Sequence, residues 1–597
     1  MKRPVAAALA LVCLLAPAAR SQSPQDAAIR RVETGLSLPV VIQGDPTWTV
    51  EERMRHYKVP GLSVAVVKDF KVVWAKGYGV REAGSAAPVT TKTLFQAGSI
   101  SKPVAATVTM KKVEEGKLRL DEDVNAFLKS WKLPDNELTA KKKVTLGNIL
   151  SHTAGLTVHG FPGYAAGAAL PSLPQVLDGA APANTAAVRV DMEPGTKFRY
   201  SGGGTTISQL VLQDLEGRPF DQIARTTVLE PYGMTDSTYS QPLPEPARSA
   251  AASGHRRDGS VVEGKFHTYP EMAAAGLWTT PTDLAKFLIE TKLSFAGKSN
   301  KVLSQKTVER MVTPFLGPET GLGFFVEMHG AEPYFGHNGA DEGFTAILLG
   351  HRTKGYGAVL MINSDNFALM PEMLRSIARE YRWDGFEQPL ARAAVPAEKL
   401  AAYAGRFKLD AHTPLTVTAE GGRLYVEEPF ETKTELVPVD ETTFVRRDQE
   451  ARYVFERAPS GRVERLSLRA QSGTRDAGRM AEGETLAIEK LRAGRVADAA
   501  EEYRKLKAAN PADPLVSESR INGLGYWLLG QQKTAEAILV FRLNVELYPQ
   551  SGNVYDSLGE AYMTAGDKEQ AIKNYARSLE LDPKNQNAVR MLEKLKK

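Results

Sequence analysis

The sequence holds 597 residues, of which 43% are hydrophobic and 24% charged, proportions that exclude a collagen-like fibre, wholesale disorder and a polytopic membrane protein. Lysine and arginine number 75 against 70 acidic residues, a net charge of +5, too dilute for the concentrated basic field of nucleic-acid binding. A chain of this length is expected to build several domains rather than one core.

The amino terminus carries Lys2 and Arg3, an apolar run from Val5 to Leu15, and small residues at Ala16, Ala18 and Ala19. That order predicts a cleavable export signal over residues 1–22, too short to remain as a membrane span, and a periplasmic or secreted mature protein. The single cysteine, Cys13, lies inside the apolar run behind Val12. The mature chain is therefore expected to lack disulfides, thiolate chemistry and cysteine-held metal. No cofactor and no metal site is predicted.

From about Pro46 to Tyr381 short β runs alternate with helical patterns, as in Gly61 to Val67, a turn at Lys68 and Asp69, and Lys71 to Ala75. Thr280-Pro281-Thr282-Asp283 before Leu284 predicts a capping box with proline in the first helical turn. Residues 23–384 are read as one large α/β domain. Pro, Ala and Gln then gather between Gly385 and Pro396, the composition of a linker. Beyond it Leu415, Val417 and Ala419 alternate with polar residues, Gly421-Gly422 supplies a tight turn, and Leu424 and Val426 resume the alternation, which predicts a hairpin. Tyr453 and Phe455 before the Pro459-Ser460-Gly461 turn, then Val463, Leu466 and Leu468, give a second. A small all-β barrel or sandwich is expected over residues 397–473.

The tail repeats itself. Pro549 and Pro583 stand 34 residues apart, as do Phe541 and Tyr575, Ala537 and Ala571, Gly525 and Gly559, and Leu524 and Leu558. This period resembles that of tetratricopeptide repeats, and a looser copy precedes it at Leu486, Ala499, Tyr503 and Pro511. Small residues at these points let paired helices approach while aromatics fill the seam. Residues 482–597 are expected to form a short all-α solenoid of three helix pairs, serving as a groove for a peptide or protein partner or as a structural cap.

The candidate chemistry centres on Ser99-Ile100-Ser101-Lys102, an S-x-x-K tetrad. Pro103 fits only the first turn of a helix, so the helix through Val104, Val108 and Val113 to Gly116 must begin close to Ser99. Three residues on, Lys102 projects from the same face, within reach of the Ser99 hydroxyl. A serine hydroxyl needs a base to remove its proton, and a lysine amine serves when its surroundings disfavour the ammonium. Taken alone, the tetrad also fits a helix cap beside a solvated lysine. There is no complete G-x-S-x-G elbow, because Gly61-Leu62-Ser63-Val64-Ala65 lacks the last glycine, and no H-E-x-x-H helix, so neither an α/β-hydrolase nor a zincin is supported.

Around the tetrad, five ordered segments resemble the serine β-lactamase and penicillin-binding protein superfamily, its class C-like hydrolases and esterases in particular. They are Gly98-Ser99-Ile100-Ser101-Lys102, Leu150-Ser151-His152-Thr153-Ala154-Gly155-Leu156, Tyr200-Ser201-Gly202, Gly276-Leu277-Trp278 with Asp283-Leu284, and Gly336-His337-Asn338-Gly339. The resemblance covers about residues 45–380. It implies a β-lactamase/transpeptidase-like α/β (α+β) fold with an antiparallel sheet flanked by helices. It further implies Ser99 as nucleophile, Lys102 as proton acceptor, Tyr200 as its partner in proton transfer, and His337 on the strand beside the substrate. The backbone amides of Ser99 and Ala340 are implied as oxyanion donors, with Asn338 and Gly339 lining the substrate. His152 is read as structural.

Two positions depart from the family pattern. Gly202 stands where class C enzymes have asparagine after Tyr-Ser, and His337 replaces the strand lysine. The first change removes a side-chain amide; the second makes the positive charge opposite a substrate carboxylate depend on pH. The expected activity is an exported serine hydrolase working through an acyl-enzyme on esters, D-amino-acid peptides or β-lactams. The alternative is a catalytically inactive binding protein whose repeats recruit a partner.

Overall fold

The structure, a computed structural model, describes residues 23–410, 413–429, 432–470 and 473–596. The predicted export signal and Cys13 lie outside the described residues. Among the described residues no helix is long and apolar enough to cross a membrane.

The run Gly61–Lys68 forms strand β1, buried at every position but the last, as a central strand covered on both faces requires. With it come β2 (Lys71–Gly79), the short β3 (Phe95–Gln96) and β4 (Trp278–Thr279), then β5 (Phe325–His329), β6 (Glu332–Asp341), β7 (Phe344–His351) and β8 (Gly357–Ile362). Six of these make one sheet in the order β2-β1-β8-β7-β6-β5, antiparallel at every junction. The β1–β2 turn falls on Asp69 and Phe70, both at positive φ, one residue later than the sequence indicates.

Side chains alternate across this sheet and feed two cores. On one face Ala65, Val67, Phe335, Leu348 and Met361 pack with Val104 and Val108 of the helix Ser101–Glu114, Ile207 of the helix Gly202–Glu216 and Leu284 of the helix Pro281–Phe295. On the other face Val64, Val66, Ile347, Leu349 and Leu360 meet Met373 and Ile377 of the helix Leu369–Glu380 and Val32 of the helix Pro24–Glu33. The fold is the β-lactamase-like helix–sheet–helix arrangement that the resemblance implies.

One helix start differs in detail. Thr280 caps the helix Pro281–Phe295 by accepting from the Asp283 amide, with Pro281 in the first turn. The Asp283 carboxylate does not complete a capping box; it turns to the Asp236 amide (2.8 Å) and the Ser237 hydroxyl (2.9 Å).

The described chain divides into two compact units, one made of residues up to Leu38 together with Asp45–Gln388, the other of Pro39–Gly44 together with Pro389 onward. In the second unit eight strands close into a barrel: β9 (Gly405–Lys408), β10 (Pro414–Glu420), β11 (Arg423–Glu427), β12 (Thr434–Pro438), β13 (Thr443–Val445), β14 (Ala451–Arg457), β15 (Val463–Ala470) and β16 (Gly473–Arg479). Gly421 and Gly422 both take positive φ, the geometry of a two-residue hairpin turn. The barrel continues past residue 473, because β16 closes it against β15 and β9. Only Ala477 of β16 is buried, so the strand carries no apolar alternation for a sequence reading to detect. Pro39–Gly44 joins this unit through Val40, whose amide donates to the Arg447 carbonyl, and Ile42, bridged to Leu390.

After the barrel come the helices Ala487–Arg492, Val496–Ala509, Glu518–Gly530, Thr534–Leu547, Gly552–Thr564, Lys568–Leu581 and Gln586–Lys596. A Cβ at Gly525 would lie 2.4 Å from the Phe541 ring, and one at Gly559 3.1 Å from the Tyr575 ring. The glycine-against-aromatic pairing that repeats in the sequence is thus a seam between paired helices.

Candidate active site

Ser99 sits half-buried in a 3₁₀ turn, Gly98–Ile100, between β3 and the helix Ser101–Glu114. Gly98 adopts φ +50°, and a Cβ there would stand 2.4 Å from the Ala340 nitrogen, so neither the backbone conformation nor the space admits another residue. From the facing side, a Cβ at Gly339 would lie 1.9 Å from the Ala97 carbonyl oxygen and 3.3 Å from the Ser99 nitrogen. Paired glycines therefore press β6 backbone-to-backbone against the serine turn.

Lys102 lies in the first turn of the helix and is 4% exposed. Its Nζ is 2.9 Å from Ser99 Oγ and 2.8 Å from the Ala274 carbonyl oxygen, and 5.0 Å from the centre of the Tyr200 ring. The helix start predicted from Pro103 thus delivers the amine to the hydroxyl, and the reading of a solvated lysine is excluded.

Tyr200 enters from the residue before Ser201, which caps the helix Gly202–Glu216: its Oγ accepts from the Gly204 amide (3.0 Å) and donates to the Thr157 carbonyl (2.7 Å). Gly202 to Gly204 are buried helical residues rather than a flexible turn. A Cβ at Gly202 would meet Phe161 at 3.0 Å and the His159 carbonyl oxygen at 3.1 Å. An aromatic ring thus borders the space into which a longer residue at position 202 would project. The Tyr200 ring lies 4.3 Å from His152, 4.8 Å from His159, 5.9 Å from Phe325 in a near-parallel stack, and 6.0 Å from His337, centre to centre.

His337 corrects one expectation. It is buried, and its Nδ1–H donates to the Asn338 carbonyl at 2.6 Å, which leaves Nε2 as an unprotonated acceptor without a partner among the described residues. Burial, reinforced by nearby Lys102, pushes its pKa down to about 3. The ring is neutral at ordinary pH and supplies no positive charge for a substrate carboxylate or for Tyr200. Asn338 pairs with Ile347, which belongs to the opposite core. Strand alternation therefore carries its exposed side chain away from the face that holds His337, whereas Gly339 and Ala340 reach the serine turn through backbone.

His152, set aside as structural, lies beneath Tyr200 and accepts from the Ser201 amide at 3.2 Å; burial holds its imidazole well below the usual range. The sequence offered no signal for the Ala274 carbonyl, since a backbone acceptor leaves no residue type behind. Phe161 and Phe325 read equally well as core aromatics. No group of three or more His, Cys, Asp or Glu able to hold a metal occurs among the described residues.

The family described as Beta-lactamase matches residues 48–381, which is more than half of the sequence and includes every one of these groups. The chain belongs to the beta-lactamase family. Among its relatives is "Penicillin-binding protein 4" of Amycolatopsis lactamdurans, 28% identical over 334 residues, 52% of this chain and 82% of that protein. Another, "Putative penicillin-binding protein PbpX" of Bacillus subtilis, is 24% identical over 323 residues, 51% of this chain and 74% of that one. Among solved structures, the octameric penicillin-binding protein homologue from Pyrococcus abyssi aligns at 23% identity with a TM-score of 0.46, covering 72% of this chain and 98% of its own. After the beta-lactamase region, residues 391–480 match a domain of unknown function (DUF3471) and residues 552–585 a tetratricopeptide repeat.

Proposed function

We propose that this beta-lactamase family member is an exported serine hydrolase that cleaves carboxylic esters through an acyl-enzyme. The observation that carries the reading is the 2.9 Å contact between Lys102 Nζ and Ser99 Oγ in a buried setting. Lys102 takes the hydroxyl proton as Oγ bonds to the ester carbonyl carbon. The backbone amides of Ser99 and Ala340 hold the oxyanion, and the proton passes by way of Tyr200 to the leaving alkoxide as the ester C–O bond breaks. Water then repeats the sequence on the acyl-serine, releasing the acid and returning the proton to Ser99. Export rests on the pattern Lys2, Arg3, Val5 to Leu15.

An uncharged acyl group fits this cleft best. His337 is neutral, Gly202 offers no amide, and Phe161, Phe325 and the exposed Phe198 supply apolar walls. D-amino-acid peptides and β-lactams bring a carboxylate, and the neutral His337 on the strand beside the substrate supplies no positive charge to meet it. Hydrolysis of p-nitrophenyl acetate and butyrate beside a chromogenic cephalosporin tests the choice: the esters should turn over, and Ser99→Ala should lose at least about a thousandfold. Equal rates for wild type and Ser99→Ala would reject the assignment, and would favour the alternative of a binding protein that works through its repeats. The repeat helices are read as a site for a peptide partner.

A further inference from the structure

A cavity of about 680 Å3 opens at the far end of the helix that carries Lys102, with Leu118, Leu120, Phe315 and Leu316 in its walls beside the cations Arg119, Lys142 and Arg310 and a single acid, Asp121. Its volume is that of an ordinary small-molecule pocket. Val113, another lining residue, stands in the last turn of the helix Ser101–Glu114, whereas Lys102 stands in the first. At about 1.5 Å of rise per residue the cavity lies about 16 Å along the axis from the amine. It is a separate place from the catalytic cleft.

The cavity has positive charge to spare. Arg119 is engaged, with Nη2 3.4 Å from Asp121 and Nε 3.6 Å from Glu122. Lys142 and Arg310 have no ion pair and no side-chain hydrogen bond among the described residues. The Arg310 guanidinium lies 5.7 Å from the centre of the Phe315 ring, and the Lys142 amine rests against Gly195, where a Cβ would come within 2.5 Å of Nζ. The neutral polar side chains of the lining are satisfied among themselves: Thr145 donates to Asn148 at 2.9 Å, and Asn148 donates to Thr153 at 3.2 Å. The two cations are thus the groups left to recognise a ligand's head.

Solvated lysines and arginines are common on any surface; the apolar wall beside these two is not. Leu118 and Leu120 are buried, and the half-buried Phe315 ring folds over Gly147, where a Cβ would meet it at 3.4 Å. At the lip Leu316 is 56% exposed and takes φ +56°. A leucine held in the left-handed region with more than half of its surface in water is unfavourable on both counts, and an apolar occupant of the cavity relieves the second.

We propose that this cavity binds a medium-chain monocarboxylate, its head taken by Lys142 and Arg310 and its alkyl tail by Leu118, Leu120, Phe315 and Leu316. The guanidinium fork suits a carboxylate, and the ammonium adds a point charge. A neutral chain leaves the two cations unanswered, and a small anion leaves Leu316 in water, so recognition requires both ends of the ligand. The site stands independently of the hydrolase reading.

Isothermal titration calorimetry of the full chain with octanoate, octanamide and acetate tests this, at about pH 7, where the carboxylates are ionised. Octanoate should bind with a Kd below about 1 mM, and octanamide and acetate each at least about tenfold more weakly. The double variant Lys142→Gln, Arg310→Gln should weaken octanoate at least about tenfold, and Leu316→Glu, which sets a like charge at the lip, should do the same. Ser99→Ala should leave the affinity unchanged. All three substituted lining residues are exposed, and either variant suffices if the other fails to fold. Absence of saturable octanoate binding overturns the proposal, as does equal affinity for octanamide. Binding that survives the cavity variants but is lost in Ser99→Ala places the anion in the catalytic cleft and overturns it too.

Discussion

Gly339 and Ala97 are in such close backbone contact that a Cβ on the glycine would stand 1.9 Å from the alanine carbonyl oxygen. The contact sets where the Ala340 amide lies relative to Ser99. Gly339→Ala must push β6 off the serine turn, and we expect kcat to fall about a hundredfold or more, the scale of losing one oxyanion donor. Ester hydrolysis and fluorophosphonate labelling measure it; wild-type rates in a folded variant would show that this strand does not serve the oxyanion.

Gly202→Asn restores the family's side-chain amide but drives it toward Phe161, 3.0 Å from the new Cβ. The single change should destabilise by about 1–3 kcal/mol through overpacking. Combined with Phe161→Ala it should recover part of that loss and improve turnover of amide substrates relative to esters. The double-mutant cycle on melting temperature and on amide-to-ester ratio reads the coupling; strict additivity would mean the ring and residue 202 do not compete for space.

The neutral His337 makes stability depend on acid in a defined direction. Its folded pKa of about 3 lies below the unfolded value near about 6.5, so the unfolded chain binds the proton first and stability falls as pH drops from about 6.5 toward about 3. His337→Asn removes this one contribution. Relative to wild type, the variant should gain about 2 kcal/mol between about pH 7 and about pH 5, seen by urea unfolding at each pH. A constant difference would mean that the ring takes up its proton in the folded state.

Two glycines of one repeat helix should respond oppositely to the same substitution. Gly525→Ala places a methyl group 2.4 Å from the Phe541 ring, whereas nothing lies within 4 Å of a Cβ at Gly523. The first should cost about 1–3 kcal/mol by overpacking, and the second should stabilise its helix by about 0.5–1 kcal/mol. Thermal unfolding of the full chain followed by circular dichroism compares them; equal effects would contradict the seam.

A chain ended after Met480 retains all of the unit that holds Ser99 and should keep its Ser99 chemistry; loss of fluorophosphonate labelling would show that the helical tail belongs to the hydrolase core. The barrel of the shortened chain should loosen, since Arg406 loses Glu489 (2.6 Å) and Lys408 loses Glu484 (2.6 Å). Limited proteolysis within residues 405–479, beside fluorophosphonate labelling, follows both.

Legibility followed periodicity and steric rules. Pro103 placed the helix start and hence Lys102 beside Ser99, the 34-residue spacing gave the repeat seam, and the Gly421-Gly422 pair gave its hairpin turn. What escaped depended on tertiary surroundings. The charge on His337 is decided by burial beside Lys102, and the β16 strand lacks an apolar rhythm.

Pro39–Gly44 belongs to the barrel unit although residues on either side of it belong to the hydrolase unit. Neither unit is therefore a single uninterrupted stretch of sequence. A protease that nicked the connection near residue 388 would leave the two halves still joined through this six-residue strap, and release of one from the other by cleavage would require scission on both sides of the strap as well.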